Sequence, residues 1–437
     1  MFSAFFESAQ KKLISLTALL LAFSAIMAGC SAVPGNPDNS DQGNLASYRS
    51  LTEGYAAKPI AEKITDYNFT TAVKNFSAKL CANSSFGSSN VIYSPTALLS
   101  ASSLMVNASD EPTRLELLDI LGFTGGISDL NEYLATYSSY LRRNEKLYLH
   151  QSFWINNASS DISVSEAFLK VNADYYGASG FTFDTGKYPF NDYLVNWASD
   201  TVGMQKFTLD STLFDTQSVS LASSLYGSLE WAEPFTFTEN LLFKSADGDK
   251  EIPFIISDTA TVVSLSIASG FSKEFSNGCT FVALLPNEGV SLATLASEVS
   301  DLKVSGVLNH ESQDPVKIRI PSFSIRGAYD CSKLMSKAGL VTPFKTGENV
   351  FSYLAVTPVQ LYLGNMINAT EFSFGSGGIN APDANTTPII SESESSETVE
   401  PDEETHIEAT LDFDRPFIYM VFDSNNLPVY IGSFISP

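Results

Sequence analysis

Asp414-Arg415-Pro416-Phe417-Ile418-Tyr419-Met420-Val421-Phe422, then Asp423-Ser424-Asn425-Asn426 and Val429-Tyr430-Ile431-Gly432, close the chain. Two apolar runs of strand length flank a cluster of turn-forming residues, so the segment reads as two buried strands joined by a turn. Working back from it, Val316 to Ile320, Phe281 to Leu285 and Leu147 to Ile155 alternate as strands. Helical periods stand among them. Asp66-Tyr67-Asn68-Phe69 opens one through Val73, Phe76 and Leu80, with Asp66 as its cap. Ser94-Pro95 puts a proline at the first turn of another, ahead of Leu98, Leu99 and Met105 and behind the strand-like Asn90-Val91-Ile92-Tyr93. From about Ile64 onward, helices and strands come mixed, without the regular alternation of a doubly wound sheet, and no internal repeat is visible; the class is α+β.

The chain has 437 residues, of which 44% are hydrophobic and 12% aromatic, enough for a large core and too many for a disordered chain. A net charge of −24 excludes the basic footprint that a general nucleic-acid binder needs. Four cysteines (Cys30, Cys81, Cys279, Cys331) are too few and too dispersed for a disulfide scaffold, and no C-x-x-C pair suggests zinc. The last three read as small buried core residues.

Residues 1–29 read as an export signal. Lys11 and Lys12 precede an apolar run from Leu13 to Met27, the length of a signal-peptide core and short of a membrane span. The run ends in Met27-Ala28-Gly29-Cys30, which resembles a bacterial lipobox, with Met27 in place of the usual Leu. That makes Cys30 the expected lipidation site and new N-terminus, and puts the protein outside the cell or in the periplasm on a bacterial membrane. An ordinary secretory signal with a stray Cys is the alternative. Residues 30–63, polar and broken by Pro34, Gly35, Pro37 and Gly43, are expected to be a flexible tether to a domain at 64–437.

One segment departs from the rest. Between Gly375 and Asp414 there is no Lys or Arg, and Ser391 to Glu408 carries eight acidic residues. Such a run repels itself and stays solvated; a structureless stretch of this length inside a domain is either functional or a mere acidic insertion. Catalytic templates fail. His150, His310 and His406 form no H-E-x-x-H helix, no G-x-S-x-G elbow exists, and Gly339 to Thr346 has Phe344 where a phosphate loop needs its second glycine. No metal site or cofactor is expected, and no enzyme.

Ordered blocks resemble the serpin family from about Ile64 to Pro437. Asn90 to Pro95 and Arg114-Leu115-Glu116-Leu117-Leu118 resemble a strand and two helices of that fold. Leu221 to Tyr226 with Trp231 and Glu233-Pro234-Phe235 resembles the top of its main sheet. Phe243, Asp247-Gly248, Ile252-Pro253-Phe254, Leu284-Leu285-Pro286, Ile320-Pro321-Ser322-Phe323, Gly339-Leu340, Pro343-Phe344, Asp414-Arg415-Pro416-Phe417 and Gly432 follow in order. The resemblance implies a large, mainly antiparallel five-stranded sheet with helices around it, a second, smaller sheet region, and an exposed reactive loop at about 375–412. In inhibitory members a protease cleaves the loop, is trapped as an acyl-enzyme and is carried along as the loop inserts into the sheet. Ser94, Ser223 and Asn368, with Trp231, then fall in the region that controls sheet opening, Ser223 and Asn368 replacing the family's usual Asn and His.

On the same resemblance the loop hinge is Gly378, Ile379, Ala381, Pro382 and Asp383, where inhibitory members carry Thr and alanines. Ile379, Ala381, Asp383 and Asn385 would face inward on insertion. Burying Asp383 unpaired costs several kcal/mol, and Pro382 lacks the amide a central strand needs. The scissile bond is expected between about Glu392 and Thr405, with Glu392, Glu394, Glu397, Val399 and Glu400 as candidates; with no basic side chain there, a trypsin-like protease should reject the loop. Two readings stand: a monomeric suicide inhibitor of an extracellular serine or cysteine protease, and a non-inhibitory surface lipoprotein that binds a partner or presents an acidic loop.

Overall fold

Asp66 does cap the first long helix, α1 (Tyr67–Asn83): its carboxylate accepts from the Phe69 amide at 3.0 Å. Ser94 caps α2 (Pro95–Ala108) the same way, its hydroxyl accepting from Ala97 N at 3.1 Å with Pro95 in the first turn. Every α2 residue except Asn107 is buried, which its composition permits, since Ser102 and Ser103 return their hydroxyls to the carbonyls four residues back. The computed structural model describes residues 48–156, 162–184, 189–202, 219–312, 316–348, 350–357, 359–388 and 409–437.

The largest sheet contains β1 (Arg49–Ser50), β2 (Leu147–Asn156), β3 (Ser179–Phe183), β4 (Val219–Gly227), β5 (Leu229–Glu230), β6 (Phe323–Asp330), β7 (Leu363–Gly375) and β8 (Gly378–Ile379). Its order is β1-β3-β2-β4-β7-β8-β5, with β6 on the other edge of β7. Five of these strands are long, as the resemblance implies; β1, β5 and β8 are two-residue additions. Pairing is mainly antiparallel, the exceptions being β2 with β3 and β4 with β7. Helix α3 (Phe190–Val202) lies on this sheet, packing Tyr193, Leu194, Trp197 and Ala198 over Trp154, Ala222, Ile367 and Ala369.

Two further large sheets, and a two-stranded one that pairs 163–164 with 355–356, complete the α+β domain. One runs through strands 268–274, 280–286, 417–422 and 428–434 to 91–93, with the C-terminal pair buried throughout, as its apolar runs require. The other orders strands 387–388, 237–243, 250–257, 316–321 and 409–412.

The tether expected over 30–63 is too long, and the domain begins before residue 64. Arg49 and Ser50 pair with Thr182 and Phe181 at the edge of the main sheet, inside a compact unit that starts at Ala46. Tyr48 sets its ring edge-on to Phe181 and Trp154, at 4.5 and 5.5 Å. Further on, the Lys58 amide donates to Asp174, and Lys63 pairs with Asp129 and Glu132. Two isolated tyrosines, Tyr48 and Tyr55, in a polar stretch make no period, so composition concealed the anchor. Cys30 and the signal sequence lie outside the described residues. Cys81, Cys279 and Cys331 are buried free thiols, and Cys279 donates to the buried Glu145 carboxylate at 2.7 Å.

Candidate functional site

The main sheet is closed along one half of the β4–β7 seam and parted along the other. Leu363 to Ala369 pair in parallel with Val219 to Ser224; beyond that point the strands diverge, and the chain leaving β7 turns back between them. Ser376 and Gly377 make the turn, after which Gly378 and Ile379 pair with Gly375 and Phe374 on one side and with Glu230 and Leu229 on the other. β8 therefore occupies the first two rungs of an additional central strand. The turn is tight enough to demand glycine: a Cβ on Gly377 would stand 1.8 Å from the Pro382 carbonyl, and one on Gly378, at φ +150°, 1.9 Å from that of Leu229.

Trp231 and Phe235 form the socket for this turn. The Trp231 indole donates to Gly375 O and its amide to Gly377 O, both at 3.0 Å, and the Phe235 amide donates to Ser376 O at 3.1 Å, so three successive turn carbonyls are satisfied. Trp231 stacks on Phe275 at 4.1 Å. Behind Phe235 lies Lys273, only 4% exposed, its ammonium 5.3 Å from the ring and donating to Thr259 and Ser257 hydroxyls at 2.8 and 3.1 Å. Burial pulls that amine down to about 8.

Of the hinge residues, Ile379 is buried, Ala381 half-buried, and Pro382 and Asp383 exposed. Asn385, expected to face inward, is also exposed. The chain has already left the sheet at Asn380, whose backbone is left-handed at φ +50°. Asp383 lies back over the turn and accepts from the Ser376 hydroxyl, which in turn accepts from Ala384 N at 3.0 Å. The loop then adds Thr387 and Pro388 in parallel to Phe237 and Thr238 at the edge of the third sheet. It returns at Ala409 to Asp412, paired in parallel with Val316 to Arg319 and held by a two-armed Arg319–Asp412 ion pair. Glu392, Glu394, Glu397, Val399 and Glu400 fall outside the described residues.

The last closed rungs of the seam, next to the point where the strands part, hold the second group. Asn368, fully buried, accepts from Ser94 N at 3.0 Å and from the Thr370 hydroxyl at 3.1 Å, and donates to Ser223 O at 3.3 Å. The Ser223 hydroxyl in turn donates to Ile367 O at 3.3 Å. The structure thus joins Ser94, Ser223 and Asn368 across α2, β4 and β7 where the strands still pair. The Asn368 carboxamide, like the Ser94 and Ser223 hydroxyls, does not ionise near neutrality, so these three side chains bring no charge change of their own there. Trp231 belongs to the hinge socket instead. Asn380 falls in the hinge run of the sequence reading without a role assigned to it there, although a polar residue two positions past the hinge glycine was the available signal. Among the described residues no group of His, Cys, Asp or Glu is arranged to hold a metal.

A family model described as "Serpin (serine protease inhibitor)" matches residues 71–437. The chain belongs to the serpin family. Mouse alpha-1-antitrypsin 1-2 is 22% identical over 369 residues, covering 80% of this chain and 84% of that one. Among solved structures, the thermophilic serpin tengpin in its native state superposes with a TM-score of 0.75 at 24% identity, covering 90% of this chain and all of tengpin. Thyroxine-binding globulin in complex with thyroxine gives 0.67 at 16% identity, covering 85% of this chain and 100% of that one. At such identities the solved structures establish the fold alone. At the level of the family, the function is protease inhibition and the partner a protease.

Proposed function

We propose that this serpin is a suicide inhibitor of an extracellular serine or cysteine protease that is not trypsin-like, acting as a monomer tethered to a bacterial membrane through lipidated Cys30. The observation that carries the reading is β8: two residues of the loop already stand as rungs of a central strand in a seam parted to receive more. In this mechanism the protease nucleophile attacks a loop carbonyl near Glu392 to Thr405 and the downstream amine leaves. The protease, held as an ester through its Ser or a thioester through its Cys, is then carried along as residues after Ile379 enter the sheet. The absence of Lys and Arg from 376–414 supports a target that prefers Glu or a small aliphatic residue. Mixing the full chain with a protease panel should give an SDS-stable complex with such an enzyme, and a covalent complex with a trypsin-like one would overturn the assignment. Cys30→Ala should move the protein from the membrane fraction to the medium or periplasm, because acyl-chain burial at about 0.8 kcal/mol per CH₂ is what holds it; unchanged fractionation refutes the anchor.

A second reading, a non-inhibitory surface lipoprotein that binds a partner or presents its acidic loop, is favoured by Pro382 and Asp383. Both lie outside the sheet, and both are poor central-strand residues. Under it, cleavage in 392–405 raises the melting temperature little in the wild type and much more after Pro382→Ala with Asp383→Ala.

A further inference from the structure

Asn380 uses every polar atom of its side chain where β4 and β7 part. Its Oδ1 accepts from Ser373 N at 2.8 Å, and its Nδ2 donates to Glu371 O at 3.0 Å on β7 and to Gly227 O at 3.1 Å on β4. Its backbone amide donates to Ser373 O at 2.8 Å. A carboxamide is a peptide group in miniature, with one acceptor and two donors. Here it fills ladder positions that the peptide groups of an inserted residue would need. The next residues, starting at Ala381, find Glu371 O, Ser373 N and Gly227 O already bonded. The φ of +50° turns the backbone out of the seam at the same residue, a conformation Asn tolerates and most residues do not.

We propose that Asn380 is the positioning residue that decides whether a cut loop enters the sheet: its carboxamide bridges β4 to β7 one residue beyond Ile379, the last rung of β8, and has to let go before Ala381 can follow Ile379. The inference rests on the trapping reading for its biological meaning, since entry and protease release compete in time after cleavage. Slow release of the amide favours release of the protease, and fast release favours trapping.

The test uses the intact full chain and two variants. Asn380→Asp is isosteric and keeps the acceptor for Ser373 N but loses both donors; Asn380→Gly keeps the left-handed backbone and loses all three side-chain bonds. Hydrogen exchange read by mass spectrometry should quicken 10- to 100-fold in peptides spanning 221–227 and 370–375, because the bridge that holds the strand ends together is gone. Peptides from 280–286 and 417–434 should not change. A purely structural role would speed all of them together. In a second arm, the loop is cut with a glutamate-specific endoprotease and the gain of heat resistance is followed in time; both variants should gain it faster than the wild type. If Asn380→Asp disturbs folding, Asn380→Gly, which adds neither charge nor strain, carries the comparison. Exchange equal to the wild type at 221–227 and 370–375, or faster exchange with no faster gain of heat resistance, overturns the inference. Failure of every protease to form a covalent complex would instead remove the trapping reading and leave the exchange result standing, so the two failures are distinguishable.

Discussion

Replacing Lys273 by Met should stabilise the protein at neutral pH and abolish a pH dependence. The amine is buried behind Phe235 with two hydroxyls for partners, and burial holds it at about 8 against an ordinary 10.5. Between those values the unfolded chain binds a proton that the folded chain has released. Stability from this residue is therefore full above 10.5 and is lost as pH falls through 8. At about 1.4 kcal/mol per pH unit, the charged amine costs the folded state roughly 3 kcal/mol at pH 7. Methionine has a similar length and no charge to desolvate. Ser257 and Thr259 are not orphaned by the change, because their hydroxyls lie 3.1 Å apart and Ser257 Oγ also accepts from Thr259 N. Paired urea unfolding at pH 7, 8, 9 and 10 should show Lys273→Met ahead by about 2–3 kcal/mol at pH 7, with the lead shrinking by about 1.4 kcal/mol per unit above pH 8. Curves that stay parallel across that range would refute the argument.

Asp423 gives the opposite slope. Burial raises it to about 6 against an ordinary 3.8, so its contribution is full below 3.8 and lost as pH rises through 6; Asp423→Asn should be more stable than the wild type at pH 7, by roughly 3 kcal/mol in urea midpoints, with the gap closing near pH 4. Gly378→Ala places a methyl 1.9 Å from Leu229 O; the hinge should leave its socket at a cost of roughly 1–3 kcal/mol, read as a lower melting temperature and faster cleavage around residue 380. Asn368→Ala strands the buried Ser94 amide and should cost about 1–3 kcal/mol in thermal unfolding.

The C-terminal hairpin, the Asp66 cap, the helix started by Pro95 and the α+β class were legible because each is written in local pattern: apolar runs around turn residues, or a capping acceptor or first-turn proline ahead of a helical period. The meeting of Ser94, Ser223 and Asn368 was legible only through the family resemblance, since nothing in their spacing joins positions 94, 223 and 368. What escaped has a common physical cause. Asn380 matters through carbonyls on two strands, one of them 153 residues away, and through a backbone angle that one Asn does not announce. Lys273 reads as an ordinary surface lysine in a strand until Phe235 covers it. Tyr48 looked like part of a polar tether because its partners, Trp154, Phe181 and Tyr193, are supplied by β2, β3 and α3.

The socket around the hinge turn also makes the molecule its own optical instrument. The chain has three tryptophans, and they divide cleanly. Trp154 and Trp197 share the cluster between α3 and the main sheet, whereas Trp231 has its indole N–H tied to Gly375 O and its ring flat on Phe275. In a background of Trp154→Phe and Trp197→Phe the remaining emission comes from one ring whose polar atom is bonded to the turn itself. Departure of the hinge then exposes one chromophore and breaks one known bond. A stopped-flow trace could follow the loop in time with no dye attached and no residue of the loop altered.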